Sequence, residues 1–210
     1  MHLVSVIFVR GHALLKQPRQ SENNLVMRHI PTYALLILAF FCSSPVHAQT
    51  SPLIKALASG EAVLLMRHAL APGSKEPANF NLAVCSTQRN LSAEGRAQAK
   101  RTGAWLRAQG IASAKVYTSA WCRCRDTAQL LGFGGVTKKP VLNALAKGKI
   151  QAKAQTAKLR ALISKAKGGA VIMVTHKWNI AALTGITPGS GESVVVSTRG
   201  GNVLGRIPAR

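Results

Sequence analysis

The chain has 210 residues, of which 28 are basic and 6 acidic, so its net charge is +22. This length allows one domain with a sizeable core, and we find no internal repeat, long linker or second domain. The charge favours either binding to nucleic acid or another anionic surface, or a solvated basic face that attracts an anionic substrate. The basic residues are scattered and lack interleaved aromatic residues, so we expect no nucleic-acid partner.

The first 48 residues resemble a leader rather than part of an enzyme. An apolar run of about ten residues extends from Tyr33 to Cys42. Arg28 precedes this run, and a segment ending in Ala48 follows it. This pattern predicts a secretory signal peptide that is cleaved after Ala48. The run is shorter than the roughly 20 residues that a membrane span needs. A short hydrophobic anchor or a core helix is the alternative interpretation.

Met27 stands directly before the positive part of this leader. We therefore expect translation to begin at Met27, with the first 26 residues upstream of the true start and a signal peptide over residues 27–48. The mature domain would then be residues 49–210, with 24 basic and 5 acidic residues and a net charge of +19. The predicted location is periplasmic or secreted, with no stable membrane anchor after cleavage.

The remaining sequence alternates apolar strand-like segments with helix-like segments, which predicts an α/β fold with a mostly parallel sheet. Residues 70–90 are rich in Pro, Gly and Asn, and we expect a loop that borders the functional site. We also expect residues 132–149 to be irregular. Strands are predicted at 61–66, 114–118 and 169–175, helices at 52–59, 93–109, 122–131, 151–165 and 178–184, and a terminal hairpin at 193–197 and 202–207.

Three cysteines remain after the predicted cleavage. An exported protein occupies an oxidising compartment, so we expect one disulfide, between Cys85 and either Cys122 or Cys124. A zinc site is the competing interpretation. The Cys-x-Cys spacing is poor for zinc and no second pair exists, so we predict no metal ligands.

Two of the predicted strands end in histidine. Arg67 and His68 follow the first strand, His176 follows the third, and Arg123 lies in the first turn of the helix after the second. The carboxyl ends of parallel strands form the ligand-binding edge of an open α/β sheet. Nearby guanidinium groups disfavour the imidazolium form, so His68 would be a neutral nucleophile. Arg67 and Arg123 would hold the phosphate oxygens, and His176 would be a further donor.

These residues resemble those of the histidine phosphatase (phosphoglycerate mutase-like) superfamily over about residues 61–185. The resemblance implies a three-layer α/β/α sandwich, a phosphohistidine intermediate on His68 that water hydrolyses, and a small phosphorylated substrate, with no cofactor. Ala69 replaces the usual Gly of the Arg-His-Gly signature. The other motifs are Leu91-Ser92-x-x-Gly95-x-x-Gln98-Ala99, Ser119-x-x-x-Arg123-x-x-x-Thr127-Ala128 and Val174-Thr175-His176.

The sequence departs from this family in its general acid. Family members often carry a Glu between the second arginine motif and the last His, but residues 129–175 contain no Asp or Glu. Glu76 and Glu192 are the remaining candidates. A missing acid should matter most for poor leaving groups such as alkoxides.

Three functions therefore remain open at the level of sequence. The leading hypothesis is an exported, metal-independent phosphatase that hydrolyses a phosphoric monoester or phosphoramidate. A mutase is disfavoured because no insertion could form a substrate cap and the acid is missing. A non-catalytic phosphate- or anion-binding module is the second hypothesis, and a basic surface-binding protein is the third.

Overall fold

The computed structural model describes residues 51–210. The predictions for residues 1–50, namely the Met27 start, the signal peptide and the cleavage after Ala48, lie outside the described residues. Within residues 51–210, five α-helices and six strands follow one another in the chain. The helices are α1 Pro52–Ser59, α2 Ala93–Ala108, α3 Cys122–Leu130, α4 Lys149–Ser164 and α5 Lys177–Thr184; the strands are β1 Ala62–Arg67, β2 Lys115–Thr118, β3 Val136–Lys138, β4 Val171–Thr175, β5 Ser193–Ser197 and β6 Val203–Ile207.

The six strands form one sheet in the order β3-β2-β4-β1-β5-β6. Strands β3, β2, β4 and β1 are parallel, whereas β5 pairs antiparallel with β1 and with β6. The predicted α/β class with a mostly parallel sheet is confirmed. In the parallel part, Arg67 at the end of β1 is level with Thr175 at the end of β4. The residues that follow these two strands therefore begin side by side.

Helices cover both faces of the sheet, because alternate strand residues point in opposite directions. Along β1, Leu64 and Met66 pack in the same cluster as residues of α1, α2 and α3. Val63 and Leu65 pack in a second cluster, with residues of α4 and α5. The arrangement is the predicted three-layer α/β/α sandwich. Both faces of the central strands are buried, which explains their continuous apolar sequences.

The expectation that residues 132–149 are irregular was wrong in two places. Strand β3 pairs in parallel with β2 at the edge of the sheet, and a short 3-10 helix spans Pro140–Leu142. Strand β3 is three residues long, and its last two residues are exposed. Such a short edge strand has no apolar alternation that the sequence could reveal. The other predicted elements differ from the structure by one or two residues at their ends.

Helix α2 approaches the segment that follows β1 very closely. A Cβ atom on Gly95 would lie 2.0 Å from the carbonyl oxygen of Leu70. The Ser92 hydroxyl caps the helix by accepting a hydrogen bond from the Gly95 N–H at 3.0 Å. This contact fixes the course of the chain directly after His68 and Ala69.

The helices of residues 51–210 include none with the length and apolar character needed to span a membrane.

Candidate active site

The carboxyl ends of β1, β2 and β4 bring the predicted site residues together. His68 follows β1, Ser119 follows β2 and His176 follows β4. The ring centroids of His68 and His176 are 5.6 Å apart. Both side chains are buried. The parallel register that pairs Arg67 with Thr175 brings the two histidines to neighbouring positions.

The hydrogen bonds of His68 determine which ring nitrogen carries the proton. Its Nδ1 lies 2.8 Å from the carbonyl oxygen of Ala69, which can only accept, so Nδ1 is the protonated nitrogen. Its Nε2 accepts a hydrogen bond from Arg123 Nε at 3.2 Å. Burial, opposed by the Ala69 hydrogen bond and reinforced by the guanidinium groups nearby, lowers the pKa of His68 to about 3. The ring is therefore neutral at physiological pH, with a lone pair on Nε2.

Arg123 connects His68 to a carboxylate on the loop after β1. The guanidinium is almost fully buried, and its Nη1 lies 2.8 Å from Glu76 Oε1. The other oxygen of Glu76 accepts a hydrogen bond from the backbone N–H of Arg89 at 3.0 Å. Both oxygens of Glu76 thus accept hydrogen bonds within the protein. Glu76, one of the two candidate acids, lies at the site as the partner of Arg123.

His176 occupies the equivalent position on β4 but has different partners. Its Nε2 lies 3.0 Å from the Ser119 hydroxyl and 3.5 Å from the sulfur of Cys124. The ring of Trp121 contacts it edge-on, with centroids 5.2 Å apart. Burial, followed by the charge of Arg123, lowers the pKa of His176 well below its ordinary value. His176 is therefore a neutral hydrogen-bonding group.

Two further arginines approach this site. Arg67 donates from Nη1 to the carbonyl oxygen of Pro188 at 3.0 Å. Arg89, which the sequence analysis did not identify, donates from Nη1 to the carbonyl oxygen of Ala71. Burial first, and then neighbouring guanidinium groups, lower the pKa of both arginines. Arg89 is a basic residue in the loop that the sequence predicts to border the site. That position could have indicated its role.

These side chains surround a cavity of about 210 Å³. Three guanidinium groups and one ammonium group face a single carboxylate, so the cavity has a net positive charge and suits an anion of phosphate size. The lining residues are Arg67, His68, Ser74, Glu76, Arg89, Arg123, Ala144, Leu145, His176, Lys177 and Trp178.

Glu192, the other candidate acid, is not among the residues that line the cavity. Its carboxylate accepts hydrogen bonds from Arg206 Nε at 2.6 Å and from the Gly189 N–H at 2.8 Å. The structure therefore gives Glu192 a role in holding the chain between α5 and β6, and does not place it at the site.

Thr127 and Ser119 hold the backbone around the two histidines. Thr127 accepts a hydrogen bond from the Ala69 N–H at 3.0 Å and donates to the Arg123 carbonyl oxygen at 2.7 Å. One hydroxyl thus links the chain after β1 to α3. Ser119 contacts His176 and also accepts from the Trp121 N–H at 3.2 Å. These contacts fix where α3 begins and where Arg123 points.

A disulfide links Cys85 to Cys122, one of the two pairings that the sequence allowed. It ties the loop carrying Glu76 and Arg89 to the first turn of α3. Cys124 is a free, buried thiol, and burial raises its pKa to about 12. Within residues 51–210, no group of three or more His, Cys, Asp or Glu side chains is arranged to hold a metal ion.

The family model for the histidine phosphatase superfamily (branch 1) matches residues 63–155. This match includes His68, Glu76 and Arg123, and the structure adds His176 from beyond it. Residues 63–155 are therefore similar in sequence to the histidine phosphatase superfamily (branch 1). No curated protein sequence matches the chain.

Solved structures share its fold at low sequence identity. The protein histidine phosphatase SixA complexed with tungstate matches with a TM-score of 0.52 and 20% identity, over 70% of this chain and 96% of SixA. TTHB049 from Thermus thermophilus matches with a TM-score of 0.50 and 19% identity, over 70% and 99% of the two chains. SixA from Agrobacterium tumefaciens has a TM-score of 0.50 and 16% identity, over 70% and 98%. These similarities support the phosphoglycerate mutase-like fold of the superfamily.

Proposed function

We propose that the protein is a histidine phosphatase, a metal-independent phosphohydrolase in which His68 is the nucleophile. The observation that carries the proposal is the ring of His68. Its Nδ1 is held by the Ala69 carbonyl, and its unprotonated Nε2 lies beside Arg123 in a cavity with two further arginines. A neutral imidazole fixed in this tautomer is ready to attack phosphorus.

In the first step, the lone pair on His68 Nε2 forms a bond to phosphorus while the bond from phosphorus to the leaving group breaks. The electron pair of that bond departs with the leaving group. The Nδ1 proton remains on the ring, hydrogen-bonded to Ala69, and stabilises the positive charge that develops there. Arg67, Arg89 and Arg123 compensate the charge on the equatorial oxygens, and His176 is a further hydrogen-bonding group.

In the second step, a water oxygen attacks phosphorus, the bond between phosphorus and Nε2 breaks, and the two protons of the water remain on the phosphate oxygens. The electron pair returns to Nε2, inorganic phosphate leaves, and His68 is neutral again. The pKa of about 3 means that His68 does not pick up a competing proton between turnovers at neutral pH.

The substrate class is inferred from the hydrogen-bond partners of the two candidate acids. Glu76 accepts two hydrogen bonds and Glu192 pairs with Arg206, so neither protonates the leaving group in this arrangement. Substrates whose leaving group needs no added proton, such as aryl phosphates, acyl phosphates and protonated phosphohistidine, fit best. Since a SixA structure is that of a protein histidine phosphatase, phosphohistidine and other phosphoramidates are the first natural substrate class to test.

The experiment is hydrolysis of p-nitrophenyl phosphate and of a phosphohistidine peptide, with and without a chelator. We expect turnover of both and no effect of the chelator. Acid-labile, base-stable phosphate should be trapped on His68 after a rapid quench. Phosphate binding without turnover in the wild-type protein would instead establish the alternative, a non-catalytic anion-binding member of this superfamily.

We also propose that the protein is exported, on the basis of the leader pattern in residues 27–48. Mass spectrometry of the purified protein should find an N-terminus at or near Gln49. Detection of intact residues 1–26 in cells would refute both the proposed cleavage and the start at Met27.

A further inference from the structure

Every acidic residue in the described part of the chain already pairs with an arginine. The five pairs are Arg96–Asp126, Arg101–Glu94, Arg123–Glu76, Arg199–Glu61 and Arg206–Glu192. None of these arginines lies between Thr127 and Gly191, a stretch with ten basic and no acidic residues. Positive charge in that stretch is therefore not neutralised by any carboxylate of residues 51–210.

The topology places several of these basic side chains near the opening of the active-site cavity. Helix α4 follows β3, which is parallel to β2, so its first turn lies at the carboxyl edge of the sheet. Helix α5 begins directly after β4 at the same edge. Lys147 and Lys149 precede and begin α4, and both are exposed. Lys177 begins α5 and lines the cavity.

Exposed apolar side chains accompany these lysines. Ile150 in the first turn of α4 is 81% exposed, and Trp178 in the first turn of α5 is 56% exposed. Lys177 Nζ lies 4.6 Å from the centroid of the Trp178 ring. We call the exposed residues Lys147, Lys149, Ile150 and Trp178 the rim.

A surface that alternates lysines with an aliphatic residue and a tryptophan has the chemistry of a membrane-interface contact. Tryptophan favours the interfacial layer of a bilayer, and aliphatic side chains favour its acyl boundary. Lysines that no carboxylate neutralises are attracted to anionic headgroups. Nucleic acid is a poorer match, because Trp178 is the only large aromatic among the exposed residues of the described chain, and single-strand binding uses several.

We propose that the rim docks on an anionic membrane surface, with the active-site cavity facing the lipid headgroups. The contact is peripheral and reversible, since it consists of a few side chains rather than a spanning helix. The inference does not depend on catalysis by His68, because none of its evidence comes from the nucleophile. It adds a location to the proposed function.

The test is co-sedimentation of the purified protein with vesicles of phosphatidylcholine alone, or of phosphatidylcholine mixed with phosphatidylglycerol. All variants are prepared with the same N-terminus, so that residues 1–50 contribute equally. We expect binding to the anionic vesicles only. The rim variant Lys147→Gln/Lys149→Gln/Ile150→Ser should bind at least about tenfold more weakly than wild type.

The matched control is Lys55→Gln/Lys100→Gln/Leu204→Ser, which removes the same charge and one exposed aliphatic side chain elsewhere. It should bind anionic vesicles as wild type does. His68→Ala should also bind as wild type, which separates this inference from the proposed function. Acyl chains labelled with bromine should quench tryptophan fluorescence in wild type, and Trp178→Phe should lose that quenching.

Equal binding by the rim and control variants would overturn the proposal, as would equal binding to vesicles with and without phosphatidylglycerol. A duplex or single-stranded oligonucleotide that binds more tightly than the anionic vesicles, with the same dependence on the rim, would overturn it in favour of a nucleic-acid site.

Discussion

The segments that follow β1 and β4 start at equivalent backbone positions, but the histidines that they carry have different hydrogen-bond partners. Both strands are buried, both end level with each other, and both deliver a histidine to the same edge of the sheet. His68 contacts Ala69 and Arg123, whereas His176 contacts Ser119 and Cys124. The backbone position brings each histidine to the cavity. The neighbouring polar groups determine whether its ring can be a nucleophile or only a hydrogen-bonding group.

The largest effect should come from replacing the two histidines separately. His68→Ala should reduce hydrolysis to the uncatalysed level and abolish the trapped phosphohistidine, because it removes the nucleophile. His176→Ala should cost about 10²–10³-fold in turnover, as expected for loss of one donor, while the phosphohistidine still forms. Rapid-quench measurements with labelled substrate distinguish the two outcomes, and circular dichroism checks folding. Full activity in His68→Ala would end the assignment of this site.

Replacing Arg123 and Arg67 should likewise reduce turnover by different amounts. Arg123→Lys keeps a positive charge but removes the Nε contact with His68 and the fork that reaches Glu76, so we expect a loss of about 10²–10³-fold in turnover. Arg67→Lys should cost less, because Arg67 makes no hydrogen bond to either histidine among the described contacts. Steady-state kinetics on p-nitrophenyl phosphate measures both. An equal loss in the two variants would show that charge alone matters.

Leaving groups provide the third test. We expect aryl phosphates to be hydrolysed much faster than alkyl phosphates of similar size, since Glu76 and Glu192 accept hydrogen bonds rather than donate them. Glu192→Gln and Glu76→Gln should have little effect on the aryl rate. Equal rates for aryl and alkyl esters in the wild-type enzyme would reveal an acid that this arrangement does not show.

The disulfide distinguishes the loop after β1 from the segment after β4, which has no such tether. Replacing Cys85 and Cys122 with Ser should lower the free energy of unfolding by about 2–5 kcal/mol, measured by urea denaturation. Activity should fall too, because Arg89 lies on the tethered loop and lines the cavity. Reductant should reproduce both effects in wild type and leave the double variant unchanged. Wild-type stability that is insensitive to reductant would contradict this expectation.

The smallest effect should be that of pH near the ordinary pKa of histidine. The folded-state pKa of His68 is about 3, below the value of roughly 6.5 for an unfolded chain. The unfolded state therefore binds more protons between these values, so the stability contributed by neutral His68 is complete above pH 6.5 and declines as pH falls towards 3. NMR of ring-labelled histidine should show no titration of His68 near pH 6.5. A titration there would contradict the burial of this ring.

Much of the site could be predicted from the sequence because it follows regular elements. The apolar runs of β1 and β4 are long enough to be recognised as buried strands, so the positions of Arg67, His68 and His176 follow from the parallel arrangement alone. Arg123 follows from the helix that begins just after β2. These predictions needed only periodicity and the rule that parallel strands end at one edge.

The loop of residues 70–90 could not be predicted in this way, because its path depends on contacts far apart in the chain. Gln88 accepts a hydrogen bond from the Cys122 N–H at 2.9 Å, and Cys85 is bonded to Cys122. These contacts fold the loop over α3 and bring Glu76 and Arg89 to the cavity. The location of Glu192 away from the cavity likewise depends on Arg206, a partner on the last strand.

The sequence by itself therefore determined the α/β class, the strand-end histidines and the positive character of the site, because each follows from local pattern and charge. Only the tertiary structure decided which carboxylate meets Arg123, which nitrogen of His68 carries the proton, and which cysteine pairs with Cys85. Those outcomes depend on atoms within about 3 Å of one another that lie many residues apart, and hydrogen bonds and disulfides form only at such distances.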